Sequence, residues 1–142
     1  MLKRFISLIV VALMAIPAFA DGRVIPASKL PKASQAFIAE HFPDNKILQA
    51  EKEEGEYEVY LSGSVKLEFD HSGQWKKVDC EHSQFEIPAA IIPVKIAEFV
   101  ASEYPDGVIT SISKDRRKYD VEIDDHIDLE FDLKGNFLRY DD

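Results

Sequence analysis

Sliding the chain by 62 residues lays it over itself without a gap. "IPASKLPKASQAFIAEHFPDNKI" (Ile25–Ile47) falls on "IPAAIIPVKIAEFVASEYPDGVI" (Ile87–Ile109), and "LEFDHSGQW" (Leu67–Trp75) falls on "LEFDLKGNF" (Leu129–Phe137). Ile25, Pro26, Ala27, Pro31, Phe37, Ala39, Pro43, Asp44 and Ile47 all recur at the same offset. A register kept over that distance marks an internal duplication, and it restricts the fold to two copies of one small unit. The units are expected at 21–80 and 87–142, joined by the polar connector "EHSQFE" (Glu81–Glu86).

Each unit carries the same pattern. Ser28 is placed to cap a helix and Pro31 suits its first turn. Leu30, Ala33, Phe37, Ile38 and Phe42 then share one helical face, as do Ile92, Ile96, Phe99, Val100 and Tyr104 in the second copy. Pro43 and Pro105 end the helices, because proline has no N–H to donate and disfavours a helical predecessor. Beyond them the period falls to two. Tyr57, Val59 and Leu61 alternate with Glu58, Tyr60 and Ser62; Val65, Leu67 and Phe69 alternate with Lys66, Glu68 and Asp70. Such strands have one buried and one wet face. With flanking strands near 46–53 and 74–79, each unit is an α+β element: one helix, then a four-stranded antiparallel meander. Two units can join into one eight-stranded sheet with the helices on one face.

The first twenty residues stand apart from the repeat. Lys3 and Arg4, the apolar run Phe5–Ile16 and the small residues of "AFA" (Ala18–Ala20) form a secretory signal peptide, with cleavage expected before Asp21. The apolar run is short for a membrane span, so no stable membrane insertion is expected after cleavage. Losing Lys3 and Arg4 leaves 15 basic residues against 26 acidic ones and moves the formal charge from −9 to −11. A body so acidic repels nucleic acid and anionic lipid and suits a cationic partner. The single cysteine, Cys80, excludes an internal disulfide framework.

A helix ending in Phe-Pro-Asp or Tyr-Pro-Asp, a strand "YEVYL" or "YDVEI", and the "LEFD" hairpin together resemble the PepSY-like family. Those exported proteins are described as similar to beta-lactamase inhibitor proteins. The resemblance spans nearly the whole mature chain and implies a tandem, non-catalytic binding scaffold. It also implies that a partner could be a hydrolase which the module restrains. The lone cysteine departs from the bridged inhibitor proteins.

The candidate binding residues follow from the alternation. Asp120, Glu122 and Asp124 point outward, and across a turn so do Asp128, Glu130 and Asp132, which gathers carboxylates on one wet face with His126 at the tip. The matching residues of the first unit are Glu58, Tyr60, Ser62 and Lys66, opposite Asp120, Glu122, Asp124 and Asp128 respectively. Three readings of the acidic hairpin stay open: a solvated surface, a dock for a basic protein or peptide, and oxygen ligands for a hard divalent cation. For the last, Asp124 and Asp128 are the candidates, although no calcium-loop spacing is present. Tyr60, Trp75 and Tyr140 are candidate aromatic anchors, since exposed Tyr and Trp commonly anchor interfaces. Trp75 also fits core, as its counterpart Phe137 suggests. No cofactor motif and no nucleophile–base set can be assembled. Cys80 is flanked by Asp79 and Glu81, which oppose the thiolate a cysteine nucleophile requires. Asp70 and Asp132 are placed to hydrogen-bond their turns.

Overall fold

A computed structural model describes residues 22–141. The expected signal peptide lies outside the described residues. The two meanders join into a single antiparallel sheet, but among the described residues it has nine strands rather than eight, in the order β1 to β9 along the chain. The added strand is β1 (Arg23–Ile25), which pairs with β2 (Ile47–Glu53). The first unit continues with β3 (Glu56–Leu61), β4 (Val65–Phe69) and β5 (Trp75–Asp79). The second supplies β6 (Ile109–Lys114), β7 (Lys118–Ile123), β8 (Ile127–Asp132) and β9 (Phe137–Asp141). Helix α1 (Lys32–His41) precedes β2, and α2 (Val94–Glu103) precedes β6. The units meet where β5 pairs with β6, and the Cys80 N–H extends that seam to the Thr110 carbonyl at 2.8 Å.

Lateral pairing aligns Val59, Leu67, Val78, Ile112, Val121 and Leu129 in one file across six strands. All six are essentially inaccessible to water. Phe37 of α1 meets Phe69 edge-on at 5.6 Å, and Phe99 of α2 meets Phe131 in the same manner at 5.3 Å. The core is therefore shared by both units rather than built twice.

The helix entries differ from the sequence expectation. Ala27–Lys29 form a 3-10 turn, so Ser28 caps nothing, and Pro31 sits at the cap itself with no side-chain bond to the helix. Gln35 instead reaches back, its Nε2 donating to the Leu30 carbonyl at 2.9 Å. On α1 the buried position is Ser34 rather than Ala33, because the Ser34 hydroxyl donates to the Gly73 carbonyl at 3.0 Å.

That contact ties the helix to the turn between β4 and β5. Gly73 has φ +88°, and a Cβ there would lie 2.6 Å from Pro31 Cβ. Its repeat counterpart Gly135 has φ +85° and would meet Lys95 Cβ at 2.9 Å. Gly73→Ala should therefore destabilise the protein by about 1–3 kcal/mol from the backbone conformation alone, with the clash added. Urea denaturation checks this; an unchanged midpoint would show that the turn relaxes freely. Asp70 and Asp132 hold these turns as expected. Asp70 Oδ1 accepts from the N–H groups of Ser72 and Gln74 at 2.9 and 3.0 Å, and Asp132 Oδ1 from those of Lys134 and Asn136, both at 2.9 Å.

Candidate functional site

The file of core residues fixes what lies on the second face of the sheet. One step along each strand, Tyr60 pairs with Lys66 in the first unit, and Glu122 pairs with Asp128 in the second. In the adjoining row Glu58 pairs with Glu68, and Asp120 with Glu130. Of the six carboxylates expected on the second hairpin, four thus stand directly opposite one another.

The first unit neutralises its carboxylates. Lys66 Nζ lies 2.6 Å from Glu58 Oε1 and 3.9 Å from Glu68. Burial works against the Glu58 charge, but the Lys66 ammonium outweighs it and holds the carboxyl below the usual range. The Tyr60 hydroxyl donates to Glu58 at 3.2 Å, and Lys66 lies over the Tyr60 ring at 5.8 Å. Tyr60 is half-buried and on the wet face, as the alternation requires.

The second unit is divided. Glu130 is 2% exposed. Lys118 Nζ pairs with its Oε1, and Arg139 Nε lies 2.6 Å from its Oε2. Lys118 also reaches Asp120 at 3.4 Å. These cations hold Glu130 below the carboxylate range, the Lys118 bond being the larger cause. Glu122 has no such neighbour: among the described residues no basic side chain forms an ion pair with it. Its Oε1 is buried without a hydrogen-bond partner. Burial, then Glu81, Asp128 and Asp125, push the Glu122 carboxyl up to about 7. Glu81, Glu122 and Asp125 can bring one carboxylate oxygen each within 4.8 Å of one another. A second such group is Asp120, Glu130 and Asp141, but Lys118 and Arg139 already occupy it.

Asp124 and Tyr140 are placed differently from the expectation, whereas Trp75 takes the core place that its counterpart Phe137 suggested. Asp124 belongs to the turn between β7 and β8, with φ +53°, and its Oδ1 accepts from the Val108 N–H at 2.9 Å. The adjoining Asp125 enters the cluster in its place. Trp75 and Tyr140 lie on the core side of the sheet, since Trp75 pairs with Phe69 and Tyr140 with Leu129. Trp75 packs near Phe37 with Lys114 Nζ 4.2 Å over its ring. Tyr140 lies against Phe137, and its hydroxyl, facing Tyr104, pushes that phenol up to about 12. Neither aromatic can anchor a ligand on the wet face. Cys80 is buried, and desolvation followed by Asp79 pushes its thiol up to about 11, the reverse of an activated nucleophile. Glu81 was hidden from sequence reasoning, because only the β5–β6 seam brings the connector beside β7.

The family profile described as "Putative beta-lactamase-inhibitor-like, PepSY-like" matches residues 20–67 and 55–139. The chain belongs to the PepSY-like family. No curated protein matches it. Three crystal structures resemble this PepSY-like protein along most of its length. One, from Bacteroides thetaiotaomicron, is described as a "putative calcium-regulated periplasmic protein"; it is 36% identical, with 86% of this chain and 98% of that one covered, at a TM-score of 0.80. Two structures from Bacteroides vulgatus, each described as a "putative periplasmic protein", are 35% and 28% identical, with TM-scores of 0.79 and 0.77. They are covered over 98% of their own length by 86% and 84% of this chain. In keeping with these relatives, this PepSY-like protein is secreted or periplasmic. Among its described residues no helix is long and apolar enough to cross a membrane.

Proposed function

We propose that this PepSY-like protein is a non-catalytic binding module that takes a positively charged ligand on the acidic hairpin of its second unit. Both helices cover the face that carries Val59, Leu67, Val121 and Leu129, through Phe37 on Phe69 and Phe99 on Phe131. The opposite face is then the free one. Glu122 carries the proposal. A buried carboxylate oxygen without a partner, among three further carboxylates, is stabilised by whatever brings positive charge to it. A lysine- or arginine-rich segment of a protein, including a loop of a hydrolase held by an inhibitor-like scaffold, supplies that charge with hydrogen-bond donors attached.

A second reading, a divalent cation, has its own support. The oxygens of Glu81, Glu122 and Asp125 converge, as hard cations require. The Bacteroides thetaiotaomicron relative is described as calcium-regulated. Isothermal titration of calcium chloride and of a lysine-rich peptide, separately, into wild type and Glu122→Gln tests both. The peptide should bind wild type about tenfold more tightly than the variant, the scale of one charge-assisted hydrogen bond. Calcium binding without peptide binding selects the cation. Equal affinities for both proteins, or no binding of either ligand, would overturn the site.

A further inference from the structure

We infer that β9 and β2 are the two halves of a head-to-tail interface between copies of this chain, built in the geometry that β5 and β6 form within it. The duplication supplies the template. Strand β9 is the repeat counterpart of β5, and β2 that of β6, at the common offset of 62 residues. Inside the molecule Lys77 pairs with Ser113, Val78 with Ile112 and Asp79 with Ser111. Carried to the outer edges by the offset, the same register sets Arg139 against Glu51, Tyr140 against Ala50 and Asp141 against Gln49. Each pairing is favourable: opposite charges, a large ring over a small side chain, and an acceptor beside an amide.

The state of the two edges fits this assignment. Among the described residues nothing pairs with the outer side of β9, the last strand of the sheet. There Tyr140 is 56% and Leu138 51% exposed. The Cys80 N–H points to β6, so alternation sends the Val78 backbone groups the same way. The corresponding Tyr140 groups therefore face outward, ready for a strand. An unprotected edge of this kind is a template for pairing.

At the other end the seat on β2 is filled by β1. Val24 pairs with Glu51 and Ile25 with Ala50, so this three-residue strand occupies the place that Lys77 and Val78 take on β6. The counterpart of β1 in the second unit, Phe85–Ile87, forms no strand. There β5 has the seat. One sequence position is thus strand or irregular according to whether a last strand of a unit is present, and β1 acts as a strap over an edge made to receive one. Tethering gives the strap a high effective concentration, so exchange for β9 of a second copy depends on protein concentration.

Cysteine trapping tests this on the mature chain. Within one molecule positions 51 and 139 are separated by seven interstrand steps, about 34 Å at the usual strand spacing. A disulfide between them must join two chains. Lys77 and Ser113 form the non-hydrogen-bonded type of pair, whose close Cα spacing suits a disulfide. Glu51→Cys/Arg139→Cys, oxidised at high concentration, should give a ladder of covalent oligomers about tenfold stronger than the register-shifted Lys52→Cys/Arg139→Cys. Arg23→Pro, which loosens the strap, should strengthen the ladder, and Tyr140→Pro added to the pair should abolish it. Circular dichroism establishes that each variant is folded, and buried Cys80 does not compete. Three results would overturn the inference: equal yields in the two double variants, dimers formed as readily by Arg139→Cys alone, or a ladder indifferent to proline at position 140.

Discussion

Phe131→Ala should cost about 3–5 kcal/mol of stability, and the loss should register at Trp75, in the other unit. Phe131 is completely buried, edge-on to Phe99 and to Phe137 at 5.3 and 5.8 Å. Removing its ring leaves a cavity against both of those neighbours. Trp75 is the only tryptophan, and it packs on Phe37 of the first unit. Were the units independent, its fluorescence would ignore a hole in the second. The continuous file from Val78 to Ile112 and the Cys80–Thr110 bond instead make the sheet a single cooperative structure. Urea unfolding followed by fluorescence and by far-ultraviolet dichroism should therefore give coincident transitions, both moved to lower denaturant. An unmoved fluorescence midpoint beside a second, earlier dichroism step would mean two units that fold apart.

Glu122→Gln should stabilise the protein above neutrality and do little near pH 4. The folded carboxyl is pushed up to about 7 from an ordinary value of 4.5, so the native state binds this proton more tightly than the unfolded chain. Its contribution is fully present below about 4.5 and is lost as the pH rises through about 7. Glutamine keeps the shape without the charge, so the gain in melting temperature over wild type should grow across that interval. Glu58 and Glu130 are shifted downward, and their contributions fade only at lower pH. The difference between the two proteins therefore isolates Glu122. On the cation reading, added calcium at pH 8 should raise the wild-type melting temperature and leave Glu122→Gln unmoved. A variant less stable than wild type at pH 8 would show that the carboxylate is already satisfied.

Most of the architecture was legible because the duplication repeats every signal. Helix ends at Pro43 and Pro105, the strand alternation and the turn aspartates all stand where the pattern puts them. Three features escaped it for physical reasons. Strand β1 is three residues long, too short to display a period, and exists only because the β2 edge offers it partners. Register shifts between Glu68 and Phe69 and between Glu130 and Phe131 leave no mark in the sequence pattern; they let Trp75 face inward, as its counterpart Phe137 already suggested, while Val78 keeps its place. The core side of Tyr140 is likewise set by its pairing with Leu129. The Glu81–Glu122–Asp125 cluster joins a connector, a strand and a turn. No local pattern predicts such a meeting, although the acidic hairpin pointed to its neighbourhood.

The proposed function requires Glu122 to be an unsatisfied carboxylate awaiting positive charge. Its own titration, followed through the carboxyl carbon resonance with and without added calcium or lysine-rich peptide, reads this directly. A midpoint near 7 is expected in the free protein, falling toward the ordinary value when either ligand is bound. An ordinary midpoint in the free protein, indifferent to both ligands, would contradict it.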